Sequence, residues 1–384
     1  MRFLHTADWH LGRIFHNFHL TDDQAYVLEQ FIQLARDVRP DAIVIAGDVY
    51  DRSVPPPEAV SLFDEVLTRL SLDIGVPVLV IAGNHDSPER LGFGDRVLAR
   101  QNIRMVGQVA AQVEPVVLAD EAGPVYFCPL PYAEPAIVRE RLGVDAHSHE
   151  QALQAAVAQI GGKVPPGARR VAVAHAFVAG GAGSESERPL AVGAVAAVPP
   201  AVFNGFHYVA LGHLHRPQPV GGEHIRYAGS LLKYSFDEAG HQKAVNLVEL
   251  DKDGRVRLEA IALTPRRDVR CVTGYLEELL ARGEKDANSS DYIAVTLQDR
   301  GPILDVIGKL RRVYPNVLQL ERSESPAGEG RAAAPRVDHR RQSEADLFAD
   351  FFRQATGQAM AEGEAAALAR LLEEFYRRER EVRA

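Results

Sequence analysis

Five apolar runs that read as β-strands each end in a residue able to hold a metal ion. Residues 2–7 run into Asp8-Trp9-His10, 42–46 into Gly47-Asp48, and 78–82 into Gly83-Asn84-His85-Asp86. Residues 171–174 run into His175, and 207–211 into Gly212-His213-Leu214-His215. Ligands of open α/β sheets sit outside the carboxyl ends of the strands. Five strands that each deliver Asp, Asn or His at that end describe one convergent site. Asp8 and His10, two apart on an extended chain, are expected to point the same way.

The donors are Asp8, His10, Asp48, Asn84, His175, His213 and His215: carboxylates, imidazoles and one amide, with no thiolate. That set suits Mn²⁺, Fe²⁺ or Zn²⁺ in a catalytic site and disfavours a structural zinc. It has too many imidazoles for an ordinary Mg²⁺ or Ca²⁺ site, which is all oxygen. One metal cannot use seven protein ligands and keep a position open, whereas two metals sharing a carboxylate can. Ions about 3.5–4 Å apart clamp a phosphoryl group and generate a hydroxide nucleophile. Taken singly, Asp-x-His is a weak signal and Gly-Asp is usually a turn. It is the whole set, each member at a strand end and in this order, that points to a dinuclear site.

Strands and helices alternate through about residue 265. A helix is expected from Thr21, which could cap it, with Val27, Leu28, Phe31, Ile32, Leu34 and Ala35 on one face. Pro55-Pro56-Pro57 opens a second helix, and residues 88–100 read as a helical stretch. The order of strands and helices implies parallel βαβ units. Residues 179–198, rich in Gly, Ala and Ser, are expected to lie as a surface loop by the site. Asp251-Lys252-Asp253-Gly254 reads as a hairpin turn. A small second domain is expected over 266–322, then a linker over 323–342 and a helix pair over 343–384 that could dock a partner protein.

The chain has 384 residues, a net charge of −9 and two cysteines, Cys128 and Cys271, in no zinc-type pair. The charge argues against coating DNA with the whole surface. A local basic cleft or bound cations could still offset phosphate. The cysteine usage, and the want of a signal-like or membrane-spanning stretch, lead to the expectation of a cytoplasmic protein.

The motifs Asp8-x-His10, Gly47-Asp48-x-x-Asp51, Gly83-Asn84-His85-Asp86, His175 and Gly212-His213-x-His215 resemble the signature of the calcineurin-like metallophosphoesterases. His5-Thr6-Ala7-Asp8-Trp9-His10-Leu11-Gly12 and Gly47-Asp48-Val49-Tyr50-Asp51 resemble, more closely, the bacterial SbcD family of DNA-repair nuclease subunits. The resemblance implies a four-layer αββα sandwich with a small α/β capping domain and C-terminal helices. It implies that Asp48 bridges two metals, Mn²⁺ foremost. Asp8, His10 and His215 would complete one, and Asn84, His175 and His213 the other. His85 would be catalytic rather than a ligand, with the Asp51 carboxylate holding its tautomer, and Arg52 would contact phosphate. It further implies a Mn²⁺-dependent exonuclease and endonuclease acting on DNA in end processing, repair and recombination. Such a chain would dimerise, the candidate surfaces being residues 57–72 and 88–100, and would work with an SbcC-type coiled-coil ATPase held by the C-terminal helices. The alternatives are a metallophosphoesterase for small phosphoesters or phosphoproteins, and a non-catalytic DNA-end tether.

Overall fold

Two six-stranded sheets lie face to face, and their shared core brings the predicted strand ends to one place. The structure, a computed structural model, describes residues 1–187, 197–299 and 303–323, together with 348–349, 352, 360–361 and 363–368. Met1–Ser323 forms one unit and Glu324–Ala384 another.

The first sheet runs in the order Val256–Ala262, Ala244–Leu250, Arg2–Thr6, Ala42–Ala46, Val78–Ile81, Ile103–Val106. Its last four strands are mutually parallel, as the βαβ reading requires. The second runs Gln218–Pro219, Ile225–Tyr227, Tyr208–Gly212, Arg169–His175, Gly123–Leu130, Val116–Asp120. Successive side chains of a strand face opposite ways. Ile43 and Ile45 therefore pack under Phe31 and Phe63 of the helices, while Val44 and Ala46 meet Phe127, Val171 and Tyr208 of the second sheet. A strand buried on both faces reads as a continuous apolar run, which is why Ala42–Ala46 has no polar residue. His149–Gly161 covers the far face of the second sheet with Ala156 and Ile160. The layers are thus α, β, β, α, the architecture the resemblance implies.

The helix Thr21–Val38 buries the expected face, but Thr21 is its first helical residue and Leu20 its cap, with no side-chain capping bond. Pro57–Thr68 starts at the predicted proline and continues as a π-helix, Arg69–Ile74, up to Gly75. The stretch 88–100 is not one helix. It breaks into the single turns Pro88–Leu91 and Asp95–Leu98, because Gly92 intervenes and Gly94 takes φ +79°. Val269–Gly274, Tyr292–Leu297 and Val317–Arg322 form a parallel three-stranded sheet with Leu276–Gly283 and Val306–Arg311 between them. This sheet has its own core of Val272, Leu279, Ile293, Val295, Leu310 and Tyr314. Buried Asp23 ties it to the first helix by accepting from Arg267 at 2.6 Å and from the Tyr292 hydroxyl at 2.9 Å.

Residues 348–349, 352 and 363–368 are helical. Nearly all of the expected linker and most of the expected helix pair, with Leu371, Leu372 and Phe375, lie outside the described residues. So do residues 188–196 of the Gly/Ala/Ser-rich insert. No helix among the described residues is long and apolar enough to cross a membrane.

One ion pair closes the edge of the second sheet. Arg169 donates to both Asp120 oxygens, at 2.9 and 2.5 Å, and this pairing holds the Asp120 carboxyl well below the usual carboxylate range. A depressed folded-state pKa adds stability above the unfolded value of about 3.9, and that stability is lost as pH falls toward the folded value. The melting temperature of Asp120→Asn should therefore sit below wild type at neutral pH, with the gap narrowing below about pH 4. Thermal melts across that range check it, and a gap that holds constant would remove the pairing from the acid response.

Candidate metal centre

Residues past three of the five strand ends are held in backbone shapes that most side chains avoid. Asp8, His10, Asp48 and His213 have φ of 54°, 46°, 51° and 107°. Such conformations persist only where surrounding contacts over-determine them, and they cluster at functional sites. Here the contacts are a main-chain ladder. Asp8, His10 and Leu11 donate to the carbonyls of Gly47, Asp48 and Val49 at 3.0, 3.0 and 2.9 Å. Asp8 and His10 therefore converge through left-handed turns, since the strand stops at Thr6. The expectation of a common direction from an extended chain was wrong in its cause.

Close approach also demands glycine. A Cβ on Gly83 would stand 2.1 Å from Asp48 Oδ1, and one on Gly47, at φ +90°, 2.4 Å from His175 Nδ1. Gly83→Ala should cost roughly 1–3 kcal/mol, as overpacking does, and should disturb metal binding through Asp48. Denaturant unfolding and metal titration check both, and a Gly83→Ala chain as stable as wild type would show that Asp48 can give way.

All seven predicted donors come together. Asp8, His10 and His215 offer atoms within 4.8 Å of one another, and so do Asp8, Asp48 and His175. Asp48 Oδ2 lies 3.7 Å from His10 Nε2 and 3.5 Å from His175 Nε2, so it stands between the two groups. Asn84 Oδ1 lies 2.9 Å from His175 Nε2 and 3.1 Å from His213 Nδ1. The His213 main-chain N–H donates to Asp8 at 2.9 Å, and that of His85 to Asp48 at 2.8 Å. Carbonyl oxygens only accept, so two further contacts fix tautomers. Ala46 O, 2.9 Å from His175 Nδ1, leaves Nε2 of that ring facing the cluster.

Asp51 O, 2.8 Å from His85 Nδ1, acts in the same way on His85. Asp51 thus meets His85 through its main chain. Its carboxylate turns instead to Arg13, which donates at 2.8 Å, and approaches His10 Nδ1 at 3.6 Å. That carboxylate has an oxygen within 4.8 Å of a His85 ring nitrogen but makes no hydrogen bond to it among the described residues, its charge going to the Arg13 guanidinium. Arg52 is exposed and makes no hydrogen bond or ion pair among the described residues.

The electrostatics suit cations. Asp8 and Asp48 are buried, with 0% and 2% exposure. Burial and the Asp48 charge push Asp8 well above the usual carboxylate range. Burial would raise Asp48 as well, but His175 and His10 hold it well below. Burial would lower His175, yet the two carboxylates bring it up to about 9, while burial pulls His213 down to about 3. His10 Nδ1 is buried with no hydrogen-bond partner among the described residues, and His10 Nε2 faces His215 Nε2 at 3.0 Å. Carboxylate and imidazole lone pairs turned on one another, with a buried ring nitrogen unpartnered, match the donor set of divalent transition metals.

Several contributors carry no motif of their own. Asp86 accepts main-chain N–H bonds from Val49, Tyr50 and Gly83 at 3.1, 2.9 and 2.9 Å, pinning two ligand loops together. Its place after Gly83-Asn84-His85 was the only hint. Arg13, Ser186, Glu187, Glu238 and Lys243 also reach the site, and nothing in the sequence singled them out. His5, in contrast, is buried inside the strand Arg2–Thr6, with Nδ1 2.9 Å from the Tyr208 hydroxyl.

The profile of the calcineurin-like phosphoesterases matches residues 1–217. The SbcD C-terminal family, described as the Type 5 capsule protein repressor C-terminal domain, matches residues 265–356. A Staphylococcus epidermidis relative, the SbcD subunit of the nuclease SbcCD, is 31% identical over 373 residues, which is 97% of this chain and 98% of that one. A Thermus thermophilus protein aligns over 67% of this chain and 98% of its own at 12% identity, with TM-score 0.38. A dimetal phosphatase from Danio rerio aligns over 69% and 99% at 16% identity, with TM-score 0.40. Likeness at those scores carries no weight. Fold and site together define a phosphoesterase of the calcineurin-like class, a hydrolase that works with divalent metal ions. Within that class the chain belongs to the SbcD family.

Proposed function

We propose that the chain is a Mn²⁺-dependent DNA nuclease, an exonuclease on duplex ends and an endonuclease on single strands and hairpins. It would serve DNA end processing, repair and recombination beside an SbcC-type ATPase. The observation that carries this reading is likeness along the whole length: 97% of the chain aligns with a relative named as a nuclease subunit. The likeness thus includes the region after residue 265 as well as the metal centre. On this reading residues 1–265 are the nuclease domain, 266–322 a cap that contacts DNA, 323–342 a linker, and 343–384 the ATPase dock.

Asp48 would be shared by two ions, with Asp8, His10 and His215 on one and Asn84, His175 and His213 on the other. Bound ions of this kind supply Lewis-acid stabilisation of phosphoryl charge and a nucleophile at neutral pH. The chain's own groups do the rest. His85, whose Nδ1–H donates to the Asp51 carbonyl, would take up a second proton on Nε2 and give it to the leaving oxygen, returning to the neutral Nδ1–H ring. Asp51 sets that ring and anchors Arg13. Arg52, exposed on the following loop, meets a phosphate of the incoming strand.

Two copies would pair through residues 57–72 and 88–100. Val60, Leu72, Phe93 and Val97 on these segments are exposed at 44, 65, 83 and 72%, which supports an apolar contact there. Light scattering at micromolar concentration should give a dimer, and a monomer would remove this part of the reading. The function itself is tested by incubating the purified chain, with and without an SbcC-type ATPase, with hairpin and linear duplex DNA in Mn²⁺ or Mg²⁺. Cleavage in Mn²⁺ is expected. Turnover of small phosphodiesters with DNA left intact under every condition would overturn it.

A further inference from the structure

Behind His215 lies a buried polar chain that neither the motifs nor the comparisons assign. Ser186 Oγ lies 2.5 Å from His215 Nδ1 and also contacts Glu238 Oε1, which is itself 3.3 Å from Nδ1. Lys243 Nζ donates to Glu238 Oε2 at 2.6 Å, to Ser230 Oγ at 2.9 Å and to the His215 carbonyl at 2.7 Å. The His215 N–H donates to Glu187 at 2.7 Å. Glu238 has 0% exposure, Lys243 6% and Ser186 8%.

The proton count fixes the direction of these bonds. An ionised carboxylate can only accept, and a hydroxyl has one proton to give. The Ser186 proton goes to Glu238, so the Ser186 oxygen is left to accept. His215 Nδ1 must then carry the hydrogen, and the lone pair falls on Nε2, which faces the cluster. A buried ion pair is weak support for stability, since apolar residues of the same volume often serve as well. Here the pair holds the carboxylate that orients an imidazole, the arrangement that raises ligand basicity in metal sites.

We propose that Ser186 and Glu238, backed by Lys243, are positioning residues that set the His215 tautomer and thereby the affinity of the site for a divalent transition metal. This rests on the reading of His215 as a ligand. It also gives a purpose to the described part of the Gly/Ala/Ser-rich insert, which lies at the surface beside the site and turns Ser186 and Glu187 in to the metal centre.

The test uses the full chain with Mn²⁺ as the probe, followed by calorimetry, and ¹⁵N–¹H correlation of imidazole nitrogens in the metal-free state. Ser186→Ala leaves Lys243–Glu238 intact, so it keeps the test valid even if Glu238→Gln fails to fold. Ser186→Ala and Glu238→Gln should each weaken Mn²⁺ binding by about 10–100-fold, and Ser186→Thr, which keeps the hydroxyl, should restore most of it. The His215 signal, assigned by its loss in His215→Ala, should show the Nδ1–H tautomer in wild type and a mixture in Ser186→Ala. Wild-type affinity and an unchanged tautomer in both variants, with binding lost in His215→Ala, would overturn the positioning role and leave the ligand reading standing. Full Mn²⁺ affinity in His215→Ala would overturn the ligand reading itself, and this proposal with it.

Discussion

Replacing His85 with alanine is expected to lower turnover by about 10²–10⁴-fold, the usual contribution of a positioned acid or base, while metal affinity stays near wild type. The two effects separate because His85 reaches the site in two ways. Its main-chain N–H, 2.8 Å from Asp48 Oδ1, steadies the carboxylate between the two donor groups, and alanine keeps that bond. Among the described residues its ring is hydrogen-bonded at Nδ1 alone, to the Asp51 carbonyl, so Nε2 is the nitrogen left for substrate. The ring also stands edge-on to His10, with centroids 4.7 Å apart, and offers a nitrogen within 4.8 Å of ligand atoms of His10 and Asp51; on the proposed reading its Nε2 serves the substrate and not a metal. Turnover on DNA at saturating Mn²⁺, measured alongside calorimetric metal titration, checks the split. Normal cutting by His85→Ala would take His85 out of the chemistry. Loss of metal binding together with cutting would make it a ligand.

Trp9→Ala should destabilise the chain by roughly 3–5 kcal/mol, the range for truncating a buried large aromatic. Trp9 has 0% exposure and packs edge-on against Phe31 and Phe63 at 5.7 and 6.0 Å between centroids. Its Nε1 donates to Thr6 Oγ1 at 2.9 Å. The indole therefore anchors the loop to both helices that cover the first sheet. It also stands between Asp8 and His10, whose left-handed backbones need such an anchor. Metal affinity should fall along with stability, and Trp9→Phe, which keeps the packing but loses the Thr6 bond, should lose less of both. Urea unfolding and metal titration on the two variants measure this. A Trp9→Ala chain with full stability and affinity would show that the main-chain ladder alone holds the loop.

Much of this was legible in the residues. Apolar runs of strand length followed by Asp, Asn or His are local signals, and strand ends in a parallel sheet are brought together by the topology. That is why the seven candidate donors that the structure brings together could be named from the residues. The helices at Thr21 and Pro57 were legible for a similar reason, since periodicity and proline act within a turn or two. The broken stretch at 88–100 was less so, because Gly92 and Gly94 interrupt what reads as one helical stretch, and the backbone followed the glycines.

By itself, the sequence determined the chemistry of the candidate centre: which side chains could serve as donors, that none is a thiolate, and that they are more than one ion would take. Only the tertiary structure decided how they are aimed. Asp8 and His10 converge because a neighbouring loop pairs with their main chain in left-handed conformations, against the extended geometry that spacing suggests. Asp51 meets His85 through its carbonyl because Arg13 takes the carboxylate. Ser186, Glu238 and Lys243 reach His215 only because the segments that carry them pack together. Hydrogen bonds to an imidazole depend on positions to within a few tenths of an ångström, and that precision comes from packing, not from the order of residues.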